Sequence, residues 1–381
     1  MATGSPRLAM VAGETSGDIL AGALLGGLRS RWPALTAGGI GGPRMAANGF
    51  DAWWPSDKLA VRGYAEVLRH YPELLRLRRQ LGDRLIADRP DAFIGVDAPD
   101  FNLGLEERLK SNGVRTVHFI GPSIWAWRAE RIDKIRRAVD HVLCIFPFEP
   151  AIYDQHGVAA TYVGHPLADV IPLEVPRQTS RQALNLGKDE TVVALLPGSR
   201  RAEIRYIAPG LFVAAVEMHR RRPGLRFILP MAPGLRELIE PLRQEHAQNL
   251  PVDLLEGHSH EALAACDLTL IASGTATLEA ALFKRPMVIV YRMHWASWQL
   301  MKGRGYLPWV GLPNILLRDF AVPELLQGEM TPARIADAGF AWLDDAGACA
   351  ALSRRFEALH HTLRRDTARA ATDAIEKILA A

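Results

Sequence analysis

The residues best suited to chemistry sit where short apolar runs end. The run Asp91–Val96 closes on Asp97, in Val96-Asp97-Ala98-Pro99-Asp100. A carboxylate at the carboxyl end of a buried strand stands where open α/β sheets gather ligands, and it can take a proton from an attacking hydroxyl. Asp100, three residues on, reads as the cap of the following helix or as an alternative base. His118 ends another run, 114–120, and either orients a substrate or only packs. Near the other end of the chain Leu268–Ala272 breaks at Ser273-Gly274-Thr275 and resumes with helical spacing through Leu278, Ala281 and Leu282. A strand that becomes a helix through such a turn aims unpaired N–H groups and a positive dipole end at one point, which suits phosphate. Thr275, Ala276 and Thr277 would offer N–H groups or hydroxyls, and Glu279 could hold a sugar attached to that phosphate; the plainer reading is a capped βα turn. Pro197-Gly198-Ser199-Arg200-Arg201 repeats the device with an arginine fork. Gly13-Glu14-Thr15-Ser16-Gly17-Asp18 repeats it at the start of the chain.

Each turn needs a strand before it and a helix behind it, and the chain supplies them in two series. Apolar runs at 8–12, 91–97, 114–120 and 139–146 precede a polar, proline-bearing stretch at 167–190. Runs at 192–196, 227–230, 252–255, 268–272 and 287–291 follow it, and the alanine-rich end from Arg334 reads as helical. The expected fold is α/β: two doubly wound Rossmann-type lobes facing a cleft, with C-terminal helices. The expected divisions are 1–170, 171–345 and 346–381. One lobe would hold a nucleotide and the other an acceptor and a base, as in a two-lobed nucleotide-sugar glycosyltransferase. The cluster Gly38-Gly39-Ile40-Gly41-Gly42 permits close backbone approach or unusual torsion angles, or is simply a tight loop.

Composition narrows the class. The 381 residues are 49% hydrophobic and 23% charged, with a formal net charge of +3. That excess is too small to argue for nucleic acid. Three widely spaced cysteines fit a reducing compartment without a disulfide framework. There is neither a G-x-G-x-x-G nor a G-x-x-x-x-G-K-[ST] motif, which removes the dehydrogenase and P-loop readings. His258, His260 and Cys266 mimic a metal cluster, but their spacing fits no zinc pattern. No D-x-D pair closes a strand, so neither a metal nor a cofactor is expected. No uncharged apolar stretch approaches the ~20 residues that span a bilayer. Between Trp53 and Arg84, however, apolar and aromatic residues interleave with arginines. On a helical pattern, Trp53, Trp54, Val67 and Leu68 with Arg69 and Arg76 read either as a core helix with a basic face or as a segment lying on an anionic membrane.

GETSGD, GGIGGPRM, VDAPDFN, GPSIWAWR, CIFPFE, YVGHPL, LLPGSR, SGTATLEAAL and GLPNIL occur in order from Gly13 to Leu316. Nine motifs in this order resemble the lipid-A-disaccharide synthase family nearly end to end. The resemblance implies a GT-B-type glycosyltransferase that joins UDP-2,3-diacylglucosamine to the 6-hydroxyl of 2,3-diacylglucosamine 1-phosphate, releasing UDP. It places the essential aspartate of the family at Asp97, in VDAPDFN, and makes Asn314 a donor-side residue. Arg200 or its neighbour Arg201 would meet the diphosphate, Ser199, Ser273 and Gly274 would line it, and Gly13, Glu14, Ser16, Gly17 and His118 would face the acceptor. Acylated substrates favour the membrane reading of the 53–84 segment. The expected site of action is the cytoplasmic, inner-leaflet surface, with no nucleic-acid partner. The C-terminal helices would pack on the first lobe of their own chain or of a partner in a homodimer. The competing readings are another use of a UDP-sugar on this fold, such as a UDP-N-acetylglucosamine epimerase or a transferase acting on a different lipid acceptor, and a membrane-associated nucleotide-binding module without turnover.

Overall fold

A computed structural model describes residues 5–59, 64–126, 130–301 and 306–380, with the side chains of residues 14, 15, 64–70, 296, 300 and 301 outside that set. The chain divides into two compact units, Met1–Asp169 with Thr362–Ala381, and Val170–His361. The helix Ala346–Leu363 therefore belongs almost wholly to the second unit, and the last helix, Thr367–Ala380, to the first.

In the first unit the strands are β1 (Arg7–Ala12), β2 (Thr36–Gly41), β3 (Asp51–Pro55), β4 (Ala92–Val96), β5 (Thr116–Phe119), β6 (His141–Cys144) and β7 (Ala160–Tyr162). They form a sheet in the order β3-β2-β1-β4-β5-β6-β7, with every neighbouring pair parallel. Every residue of β4 is buried, as a parallel strand covered on both faces requires. The helix Thr367–Ala380 lies against Glu14–Arg31, and Arg31 pairs there with Asp373 (2.5 Å) and Glu376.

In the second unit β8 (Thr191–Leu196), β9 (Leu225–Met231), β10 (Val252–Glu256), β11 (Leu268–Ala272), β12 (Met287–Tyr291) and β13 (Glu324–Leu326) order as β10-β9-β8-β11-β12-β13, again all parallel. Its core joins these strands to the inner faces of helices Arg201–Arg221 and Pro332–Leu343 through Ile204, Leu211, Phe212, Met218, Ile335 and Ala336.

One sequence expectation narrows here to one of its alternatives, and another changes. The glycine cluster at 38–42 is largely the buried strand β2, not a loop; a Cβ at Gly38 would stand 2.7 Å from the Trp53 ring, so the glycine makes room for that indole. Trp53 and Trp54 accordingly sit on β3, separate from the helix Tyr64–Asp88. Both are half-buried against the core, and the Arg84 guanidinium stacks 3.5 Å from the Trp53 ring centroid. These indoles are packing elements of the sheet edge rather than the free face of an amphipathic helix.

Candidate active site

Each sheet reverses its strand order once, between β1 and β4 in the first unit and between β8 and β11 in the second. Crevices outside the carboxyl ends of strands at such reversals are where doubly wound folds bind ligands. The four turns singled out by residue type lie at these two points. Ala12 pairs with Val96, so the Gly13–Gly17 turn and Asp97 emerge side by side. Leu196 pairs with Ile271, so Gly198-Ser199-Arg200 and Ser273-Gly274-Thr275 emerge side by side.

On the first sheet Asp97 is exposed at the end of β4, and both it and Ala98 are left-handed, with φ of +50° and +45°. Two consecutive non-glycine residues in this region are strained, and strain of this kind gathers at functional sites. The turn is tied down from two sides. The Asp97 N–H donates to Phe119 O (2.9 Å) and the Asn102 amide donates to Asp97 O (2.8 Å). Asp100 does not cap the helix Pro99–Ser111. The cap residue is Ala98, and Asp100, 86% exposed in the first turn, pairs instead with Arg131 at 2.7 Å. His118 is 1% exposed and its Nδ1 meets Glu106 Oε1 at 2.8 Å. From there it cannot touch a substrate, although it lies beneath the Asp97 turn. Gly13 is buried and caps the neighbouring helix Glu14–Arg31, within which Ser16 is exposed and Gly17 buried, and the Glu14 side chain lies outside the described residues. Asp18, the last residue of that motif, is 2% exposed and accepts from the N–H groups of Gly42, Arg44 and Met45 (2.9, 2.9 and 3.1 Å), capping the short helix after β2.

On the second sheet Gly198 turns the chain with φ +106°, and the Glu203 carboxylate reaches back to the N–H groups of Ser199 and Arg200, both at 3.3 Å. Arg200 is 82% exposed and pairs with the same carboxylate at 2.9 Å; Arg201 is also exposed. Glu203 was not legible as part of this turn, although its place three residues into the helix is that of a capping-box acid. Across the switch point Thr277 Oγ1 donates to Gly274 O (2.7 Å) and closes the first turn of Thr275–Leu282. The Ser273 hydroxyl donates to Val310 O (2.9 Å). Glu279 is largely buried, and desolvation raises its pKa against the opposing charge of His260, 3.9 Å away.

Asn314, expected on the donor side, has its amide committed within the protein. It is fully buried: Nδ2 donates to Val322 O (2.9 Å) and Glu324 Oε1 (2.8 Å), and Oδ1 accepts from Val322 N–H (3.0 Å). Glu324 also accepts from the N–H groups of Val310 and Gly311, both at 2.9 Å. Asn314 and Glu324 thus brace the segment that receives Ser273, a place for Glu324 beside the candidate site that residue type alone did not reveal. Among the described residues no three His, Cys, Asp or Glu side chains are grouped as metal ligands. His258 faces Glu261, and the Cys266 thiol is buried against Leu263 O.

The family model for lipid-A-disaccharide synthetase matches residues 8–377. A lipid-A-disaccharide synthase of Albidiferax ferrireducens is 57% identical over 98% of this chain and 97% of its own length, and one of Burkholderia vietnamiensis is 54% identical over 99% and 97%. The chain belongs to the lipid-A-disaccharide synthase family. It is a glycosyltransferase of lipid A biosynthesis. Solved structures of much lower identity share its fold. The UDP-GlcNAc 2-epimerase of Neisseria meningitidis, bound to UDP-GlcNAc, superimposes with a TM-score of 0.66 at 11% identity, covering 98% of this chain and 100% of that one. The calicheamicin glycosyltransferase CalG4 does so at 0.62 and 14%, covering 99% and 98%. The fold is the GT-B-like α/β class, two Rossmann-type lobes with C-terminal helices.

Proposed function

We propose that this chain is an inverting transferase that moves 2,3-diacylglucosamine from UDP-2,3-diacylglucosamine to the 6-hydroxyl of 2,3-diacylglucosamine 1-phosphate. The products are the β-1,6-linked disaccharide 1-phosphate and UDP. The observation that carries this reading is the strained, doubly anchored Asp97 at the switch point of the first sheet. Asp97 takes the proton of the 6-hydroxyl as that oxygen attacks the anomeric carbon of the donor. The bond from that carbon to the UDP oxygen breaks on the opposite face, so an α-linked donor gives a β-linked product. The leaving diphosphate gathers charge, which the N–H groups at the start of Thr275–Leu282 and the guanidinium of Arg200 stabilise. For Arg200 to do so its Glu203 partner must share or release it. Glu279 accepts from the ribose hydroxyls. The UDP-sugars in solved structures of this fold, UDP-GlcNAc in the epimerase and UDP-glucose in Anabaena HepE, support a nucleotide-sugar donor.

Acylated substrates require work at a lipid surface, and no helix among the described residues is long and apolar enough to cross a membrane. The helix Tyr64–Asp88 carries exposed Tyr71, Leu75, Arg76 and Arg79, and Arg76, Arg78, Arg79 and Arg108 line a groove of about 660 Å³ beside Leu75. We assign this face to peripheral attachment at the cytoplasmic side of the inner membrane. The side chains of Val67, Leu68 and Arg69 lie outside the described residues. The test of the reaction is UDP release with both acylated substrates, omitting each in turn, with the anomeric configuration of the product read by NMR. Release only when both are present, with a β linkage, is expected. UDP-sugar turnover without acceptor would favour an epimerase, and an α linkage would overturn inversion.

A further inference from the structure

Three fully buried polar side chains lie under the Asp97 turn. Asn102 and Glu106 are four residues apart on the helix Pro99–Ser111, on the face turned to the sheet, and His118 stands on β5 opposite Gly95 of β4. Their exposures are 0, 0 and 1%. Each has one polar atom in use: Asn102 Nδ2 on Asp97 O, and Glu106 Oε1 on His118 Nδ1. Each has another, Asn102 Oδ1, Glu106 Oε2 and His118 Nε2, buried without a partner among the described residues. Buried polar groups left partly unsatisfied are costly, and a packed apolar trio would stabilise the lobe better. The backbone is shaped to keep them, because a Cβ at Gly95 would come 2.2 Å from Glu106 Oε1 and 3.1 Å from Asn102 Cβ.

Electrostatics point the same way. Burial alone would lower the His118 pKa, but the Glu106 carboxylate, through charge and hydrogen bond, and then Asp97 outweigh it, so the pKa is raised above the ordinary imidazole value. The charged groups facing it are Glu106 from the helix and Asp97 from the end of β4. Protonation of this imidazole would set positive charge beside Glu106 and beneath the Asp97 turn.

We propose that Asn102, Glu106 and His118 are positioning residues that hold Asp97 in its left-handed turn. This rests on Asp97 being the base. None of the three touches substrate. Asn102 fixes the Asp97 carbonyl, and the Glu106–His118 pair ties the helix Pro99–Ser111 to β5, so the carboxylate is presented in one orientation. A reacting group displaced by about 1 Å loses on the order of 100-fold in rate, which sets the scale of the effect.

The experiment is a double-mutant cycle on the full chain, with UDP release measured at saturating donor and acceptor. Glu106→Gln, which keeps volume and an acceptor for His118, and Asn102→Ala are each combined with Asp97→Asn. Expected are a fall in kcat of about 10- to 100-fold for each single variant, UDP affinity within twofold of wild type, and a shifted acidic limb of the pH profile for Glu106→Gln. In the Asp97→Asn background neither substitution should cost anything further. Losses that multiply in that background would show a structural role only and overturn the proposal, as would wild-type kcat and pH profile in the isosteric Glu106→Gln. Full turnover in Asp97→Asn alone would instead overturn the base assignment on which the proposal stands.

Discussion

Removing the Glu324 carboxylate should loosen the proposed donor side and the second unit together. Glu324 accepts from Val310 N–H, Gly311 N–H and Asn314 Nδ2, at 2.9, 2.9 and 2.8 Å. Val310 is 40% exposed, so water can replace its lost bond. Gly311 and Asn314 are buried and leave two donors without that acceptor, although Asn314 Nδ2 keeps Val322 O. At about 1–3 kcal/mol per orphaned buried donor, Glu324→Ala should cost about 3 kcal/mol. Glu324→Gln keeps one acceptor but turns an amide donor toward these N–H groups, so it should fall between. The urea midpoint at unchanged m value reads the stability. Because Val310 O is the acceptor for the Ser273 hydroxyl, UDP titrated calorimetrically should bind Glu324→Ala about tenfold more weakly, roughly 1.4 kcal/mol. A urea midpoint and a UDP affinity both unchanged in Glu324→Ala would refute the bracing role.

Other outcomes follow from the same geometry. Burial pushes the Glu149 carboxyl up to about 7, against hydrogen bonds from Phe146 N–H, Trp125 Nε1 and Ile145 N–H. The native state then holds that proton more tightly than the unfolded chain, so its contribution is present below pH ~4.5 and lost as pH rises through about 7, a change of about 3 kcal/mol. His165, held down to about 4 by burial, gives the opposite slope in an overlapping window, so the difference between Glu149→Gln and wild type in a stability–pH series isolates Glu149. Arg200→Ala should weaken UDP binding about tenfold and Arg201→Ala less than twofold, since Arg200 leads out of the Gly198 turn; equal losses would reopen which guanidinium meets the diphosphate. Charge reversal of Arg76 and Arg79 with Leu75→Ser should move the protein from anionic vesicles to the supernatant, and unchanged sedimentation would count against the membrane face.

The parts of the fold with a strong local signal are legible in the amino-acid sequence. The apolar runs of β1, β4, β8, β11 and β12 stand out because parallel strands buried on both faces need uninterrupted hydrophobic residues. β2 did not, because its glycines make room for neighbouring side chains and so resemble a loop in composition. The indoles of β3 joined the basic helix on paper because residue type is blind to the break between them. The same limit governs the site. Asp97 and the Ser273 turn were visible because they interrupt strands. His118 and Asn314 have the right chemistry but are buried and spent on Glu106 and on Val322 and Glu324, partners 12 and up to 10 residues away. Glu106, Glu203 and Glu324 act through contacts that only the fold creates.

The central claim is that the carboxylate at the end of β4 takes the acceptor proton while the donor is held elsewhere. Asp97→Asn keeps the size and polarity of that side chain and removes its basicity. UDP release with both acylated substrates should fall by about 10²- to 10⁴-fold, the usual contribution of a general base, while UDP binding stays within twofold. Turnover within a few-fold of wild type would contradict the account.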